Sequence, residues 1–208
     1  MTDLLVVEDV PWEISSAWAH WLAGIPGSDT PIHVTSVASM VNQVWLRVTG
    51  GQPPHGFGTL QRLFISGHGS PGEQSVGIGD KTDPTGTKCL RTAPGGTILR
   101  GGATALLAMW APLFAPNAVV TLGGCEVADT IKGNQLLLAL SAAMGGVAVQ
   151  GGTGKQVTCV PWLRGSVKRA CRGAVVNLGS SSWDIPGPAA PPVQPGAMLH
   201  TDGIAPAR

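Results

Sequence analysis

The sequence predicts an α/β domain, a mostly parallel sheet with helices on both faces. Three observations carry that expectation. Short apolar runs recur along the chain, as in "DLLVVED", "LQRLFIS" and "NAVVTLGG". Between them lie segments whose apolar residues repeat every three to four positions. Glycine and proline clusters separate the two kinds of segment, and strictly alternating strands and helices are the mark of parallel strands joined by crossover helices. At 208 residues the chain fits one domain with a sizeable core.

The elements follow in order. "DLLVVED" (3–9) is an apolar run flanked by acids, as a strand buried on both faces requires. Pro11 suits a first helical position, and Ile14, Trp18, Trp21 and Leu22 continue at helical spacing until "GIPGSD". "PIHVT" (31–35) reads as a second strand. Val37, Met40, Val41, Val44, Trp45 and Val48 then form an apolar helical stripe, broken by "GGQPPHGFG". "LQRLFIS" (60–66) is a third strand. Residues 70–101 show no helical period and many glycines, and are expected to be a long loop with short strands near "SVGIG" and "TILRG". A helix bearing Leu106, Leu107, Trp110, Leu113 and Phe114 follows, with Pro112 near its end.

"NAVVTLGG" (117–124) is a fourth strand. Leu136, Leu137, Leu140 and Met144 mark a further helix, and "GVAVQ" (146–150) a fifth strand. "KQVTCV" and "GAVVNLG" are candidates for later strands, with "RGSVKRACRG" as a basic connection between them. Residues 1–179 are read as the α/β domain. From 180 to 208 the sequence is rich in proline ("DIPGPAAPPVQPG") and loses its period, as a flexible tail does.

Composition restricts the function. Charged residues make up 12% of the chain, against about 25% in ordinary domains. The net charge of +1 gives no electrostatic basis for nucleic acid or an acidic membrane. "MTDLLVVED" lacks the basic start of a secretory signal, and no run reaches the roughly 18 apolar residues of a membrane span. Cys89, Cys125, Cys159 and Cys171 have neither CxxC spacing nor the density of a disulfide scaffold. A cytoplasmic protein with reduced thiols is the expectation. No cofactor or metal is expected, since the five histidines show no HxxxH or HExxH spacing.

Two apparent motifs fail on inspection. "LLVVED" resembles the start of a response-regulator receiver, but that fold needs a phosphorylatable Asp after the third strand, where this chain has "SGHG". "GGTGKQ" departs from a phosphate loop at Val149 and Gln156.

The informative pair is "SGHG" and "GGC". In open parallel sheets, ligands gather beyond the carboxyl ends of the strands. His68 follows the third strand and Cys125 the fourth, 57 residues later, so one crossover unit sets both on the same rim. Each is flanked by glycines that let a substrate backbone approach. A thiol attacks as thiolate, and an imidazole can take its proton and later give one to the leaving group. The N–H groups of Gly69 and Cys125 are the natural oxyanion donors. Separately, each residue has a plainer reading: His68 as a turn histidine, Cys125 as a small buried residue.

"LFISGHGSPG" together with "VVTLGGCEVAD" and "KGNQLLLALSAAMGGVAVQGG" resembles the caspase-like (clan CD) cysteine peptidases, which include caspases, metacaspases, legumain, gingipain, clostripain, separase and CHAT domains. The resemblance is nearest to CHAT domains and related bacterial caspase-like domains. It spans about residues 3–150, with sharp matches in 63–72 and 119–152. It implies a caspase-like three-layer sandwich, His68 as base, Cys125 as nucleophile, and Gly69 with Cys125 as oxyanion hole. Glu126 after the cysteine departs from the family pattern, and the family's specificity loops have no match here.

Ser66, Glu126 and Asp129 are candidate substrate-binding residues. An acid beside the nucleophile would favour Arg or Lys before the scissile bond, while the plainer reading of Glu126 and Asp129 is a solvated loop with a helix-capping acid. The expected function is a cysteine endopeptidase acting through an acyl-enzyme. The alternatives are a catalytically inactive caspase-like module with a regulatory protein partner, and a non-proteolytic α/β hydrolase or ligand-binding domain.

Overall fold

The computed structural model describes residues 2–8, 30–77, 85–154 and 166–179. The helix expected after Pro11, the "KQVTCV" strand and the 180–208 tail lie outside these residues.

The apolar run after the first residue forms β1 (Thr2–Glu8), and β2 (Ile32–Val34) follows. Helix α1 (Val37–Thr49) starts where the Ser36 side chain accepts from the Ser39 N–H, and ends at Gly50, whose φ of 61° is the left-handed conformation glycine allows. Val37, Met40, Val41, Val44 and Val48 of the stripe read from the sequence are buried, its Trp45 is half-buried, and Thr49 is buried with them. After β3 (Leu60–Ser66), the segment expected to be a long loop contains β4 (Gly69–Ser70), β5 (Glu73–Ser75) and β6 (Cys89–Arg91). These three strands form a small antiparallel sheet. Its strands are too short for periodicity to reveal, and Pro71-Gly72 turns β4 into β5.

Helix α2 is short (Ala103–Ala108), and a 3₁₀ turn at Ala111–Leu113 takes up Pro112. Phe114, expected on the helix, instead opens β7 (Phe114–Leu122). Helix α3 (Thr130–Ala143) and β8 (Ala148–Gly152) follow. The stretch expected to be a basic connection is a strand, β9 (Val167–Cys171), paired with β10 (Ala174–Gly179). Its turn is Arg172-Gly173, both at positive φ (51° and 82°), which matches the twist of a two-residue hairpin. The hairpin, rather than the charge of the segment, decides its structure.

The main sheet has seven strands in the order β10-β9-β8-β7-β3-β1-β2. Strands β2, β1, β3, β7 and β8 run parallel, while β9 and β10 are antiparallel additions. The order reverses between β1 and β3: the chain moves outward from β1 to β2, then returns across the sheet through β3, β7 and β8. That reversal opens a crevice at the carboxyl ends of β1 and β3.

The three described helices share one face, α2 touching both α1 and α3. One core joins them to Leu4, Val6, Leu63, Ile65, Val120, Leu122 and Val149 of the sheet. Trp110, fully buried, donates its indole N–H to the Val41 carbonyl at 3.1 Å and so ties α1 to the α2 connection. Strand alternation sends Leu5 and Val7 to the other face, and both are buried there as well. At the amino end, Asp3 and Arg62 are register partners joined by two hydrogen bonds of 3.1 and 2.6 Å. The hydrogen bond to Asp3, reinforced by its charge, raises the Arg62 pKa against the opposing effect of burial.

Candidate functional site

Strands β3 and β7 are neighbours, and their carboxyl ends deliver His68 and Cys125 to adjoining loops. The loops touch through backbone. A Cβ added at Gly69 would stand 2.7 Å from the Cys125 nitrogen and 2.7 Å from the Gly124 Cα. One at Gly124 would stand 2.8 Å from the Gly69 Cα and 3.0 Å from the His68 carbonyl oxygen. Glycine at both positions is therefore a requirement of close approach, not of turn conformation. Any side chain here would push the histidine loop away from the cysteine loop.

His68 is exposed, and Cys125 is half-buried and in no disulfide. The backbone of His68 is held from below. Its N–H donates to Glu8 Oε2 at 3.0 Å, and the Ser75 hydroxyl donates to Glu8 Oε1 at 2.5 Å. Glu8 is 4% exposed and ends β1, so it sits at the point where the strand order reverses. Its carboxylate occupies the crevice floor, with a hydrogen bond to each oxygen. Gly67 leaves room for it: a Cβ there would lie 2.9 Å from Glu8 Oε2 and 2.5 Å from the Ser75 carbonyl oxygen.

The oxyanion donors expected from the sequence can be located. Ser75 N–H donates to the His68 carbonyl at 2.8 Å, and Gly69 pairs with Gln74. Alternation along an antiparallel pair makes Gly69–Gln74 the position that exchanges no ladder bonds, so the Gly69 N–H points away from β5. Cys125 N lies directly against Gly69, as the close approach above shows. After the cysteine the chain turns sharply, with Glu126 at a left-handed φ of 54° and its N–H donating to the Gly154 carbonyl at 2.9 Å. Ala128 N–H donates to Gly152 O at 3.0 Å, so both bonds anchor the cysteine loop to the end of β8.

The three candidate substrate contacts separate. Glu126 is half-buried beside Cys125. Asp129 caps α3: its carboxylate accepts from the Thr130 N–H at 2.8 Å, the helix-capping alternative read from the sequence. Ser66 is 1% exposed, and its hydroxyl is buried without a hydrogen-bond partner, so it lies beneath the rim rather than on it. Among the described residues, no three His, Cys, Asp or Glu side chains group closely enough to hold a metal ion. No described helix is long and apolar enough to cross a membrane.

Sequence reasoning missed two buried polar residues under the site, Glu8 and Gln74. Glu8 read only as an acid flanking an apolar run. Gln74 lay in a segment with no period to assign it a face. Nothing local marks either one, because both owe their position to pairing between distant parts of the chain.

Comparison with known proteins adds no relative: no protein-family model, no curated protein and no solved structure matches the chain.

Proposed function

We propose that the chain is a caspase-like cysteine endopeptidase, a three-layer sandwich of that type acting on protein or peptide substrates. The observation that carries this is the contact between the Gly69 and Gly124–Cys125 backbones, which joins a histidine and a cysteine loop at the carboxyl ends of neighbouring parallel strands. Such a rim has an exposed imidazole, a thiol in no disulfide and glycine-flanked backbone for an extended substrate.

In the proposed reaction the Cys125 thiol gives its proton to the His68 imidazole, and the sulfur attacks the scissile carbonyl carbon. The negative charge on the carbonyl oxygen is met by the N–H groups of Gly69 and Cys125. Collapse breaks the C–N bond, with His68 protonating the departing amine, and leaves a thioester on Cys125. Water, deprotonated by His68, then attacks the thioester and releases the carboxylic acid product and the thiol. On this reading Glu126, half-buried next to Cys125, reads a basic residue before the cut.

A peptide-library digest by the purified full chain tests the reading. Cleavage is expected, with Cys125→Ala and His68→Ala each losing on the order of 10³-fold or more in rate. A peptide probe reactive toward thiols should label Cys125 ahead of Cys89, Cys159 and Cys171. Undiminished cleavage by Cys125→Ala, or equal labelling of all four thiols, would remove the proposal.

A further inference from the structure

Between the two site loops lies a residue that belongs to neither. Gln74, on the central strand of the small sheet, is fully buried. Its Oε1 accepts from the Gly124 N–H at 2.8 Å, one residue before the cysteine. Its Nε2 donates to the Ser75 carbonyl at 2.9 Å, and at 3.4 Å faces the carbonyl of His68 itself. One side-chain amide therefore spans the gap, its acceptor on the cysteine loop and its donors toward the histidine loop. The planar amide fixes the separation of those two ends, since oxygen and nitrogen share one carbon.

The surroundings pack closely against it. A Cβ at Gly124 would fall 2.7 Å from Gln74 Oε1, and one at Gly67 would fall 3.2 Å from Gln74 Nε2, so the amide fills the space between the two glycines. Ser75, next in sequence, carries the other brace through its hydroxyl to Glu8, which also takes the His68 N–H. Two successive residues of β5 thus hold the His68 backbone through both its N–H side and its carbonyl side. Of the two, Gln74 also reaches the cysteine loop, which the β4–β5 turn meets as well where the Gly72 N–H donates to the Val127 carbonyl at 3.1 Å. A buried amide with its hydrogen bonds made is costly to disturb, because each orphaned partner keeps its desolvation penalty.

We propose that Gln74 is the positioning residue that couples His68 to Cys125. Resting on the reading of that pair as the reactive centre, the inference assigns the small sheet a role: β5 is the brace that sets imidazole-to-sulfur geometry. Gln74 does not touch substrate. Its loss removes the side-chain link between the loops and leaves their alignment to backbone contact, so the imidazole stops assisting the thiol even where both residues are intact.

The test is a double-mutant cycle on thiol reactivity in the full chain, which needs no knowledge of the substrate. Alkylation of Cys125 by iodoacetamide is followed site by site by mass spectrometry. His68→Ala is expected to slow Cys125 alkylation by about 10-fold or more in the otherwise unchanged protein, and by less than about twofold in Gln74→Met. Leu140→Ala, in the core of α3, serves as a control that destabilises without touching the brace, and should keep the full His68 effect. If Gln74→Met also keeps it, the coupling role is overturned while the catalytic pair stands. If His68→Ala has no effect in the otherwise unchanged protein, the catalytic pair itself fails, and the positioning role with it. The two failures are read in different arms. Should Gln74→Met not fold, amide exchange at Gly124 in the unaltered chain decides: protection of its N–H supports the bond to Gln74, and exchange at the rate of an open loop overturns it.

Discussion

Gly124 has no room for a methyl group, although its backbone is not in a glycine-only conformation. The nearest atoms to an added Cβ are Gln74 Oε1 at 2.7 Å, Gly69 Cα at 2.8 Å and His68 O at 3.0 Å, and all of them belong to the site. Gly124→Ala is therefore expected to cost about 1–3 kcal/mol through overpacking, and to lower Cys125 alkylation by more than its loss of stability accounts for. Thermal unfolding and iodoacetamide labelling of the same sample separate the two effects. Glu8 tests the floor of the crevice. Its carboxylate accepts from the His68 N–H and the Ser75 hydroxyl while only 4% exposed. Removing it in Glu8→Ala strands both donors, and about 2–4 kcal/mol of stability should disappear, measured as a lower urea midpoint with unchanged slope. An unchanged midpoint would mean that the two donors find water, and that the crevice is open to solvent.

Among the elements, the start of α3 gives Asp129 a structural role. Asp129 caps the helix through its Thr130 N–H bond at 2.8 Å. Asn accepts the same bond without the charge, so Asp129→Asn should leave stability within about 0.5 kcal/mol, whereas Asp129→Ala should lose about 1 kcal/mol. If Asp129 also reads a basic substrate residue, Asp129→Asn will change the preference in a peptide-library digest. Unchanged preference leaves Glu126 as the acid beside Cys125. The helices were legible in the sequence where an apolar stripe ran for three turns, as in α1 with Val37, Met40, Val41, Val44 and Val48. They were less so near Pro112, where Trp110 and Leu113 pack in the core from a 3₁₀ turn and its flank. Strands of two or three residues, β4 to β6, carry no period at all. Strand β9 was hidden because Lys168 and Arg169 read as surface charge, yet Arg169 is 5% exposed.

For the whole molecule, the strand order explains why half of the candidate site was visible before the structure. The His-then-Cys order needed only the rule that a crossover unit returns to a neighbouring parallel strand, and β3 and β7 are neighbours. Glu8 needed the additional fact that β1 lies on the other side of β3, which no local pattern contains. Gln74 needed the fold of a separate small sheet. The same dependence on pairing governs the far side of the sheet. Thr121, Gln150 and Arg169 are register partners across β7, β8 and β9, on the face away from the described helices. Gln150 Nε2 donates to Thr121 Oγ1 at 3.0 Å, and Gln150 Oε1 accepts from Arg169 Nε and Nη2 at 3.0 and 2.6 Å. Burial lowers the Arg169 pKa, against a raising influence from Cys171. This row spans the junction where the sheet passes from parallel to antiparallel pairing, and it adds side-chain bonds to the β8–β9 ladder that attaches the β9–β10 hairpin. Gln150→Leu removes an acceptor from a buried cation and is expected to cost about 2–3 kcal/mol, while Thr121→Val, which removes one neutral bond, should cost about 1 kcal/mol. Equilibrium urea unfolding gives both values. Hydrogen exchange in Gln150→Leu should show β9 amides losing protection before those of β3, because the hairpin is joined to the parallel sheet along β8 alone. Equal costs for the two variants, or simultaneous loss of protection in β3 and β9, would show that backbone pairing holds the hairpin without the polar row.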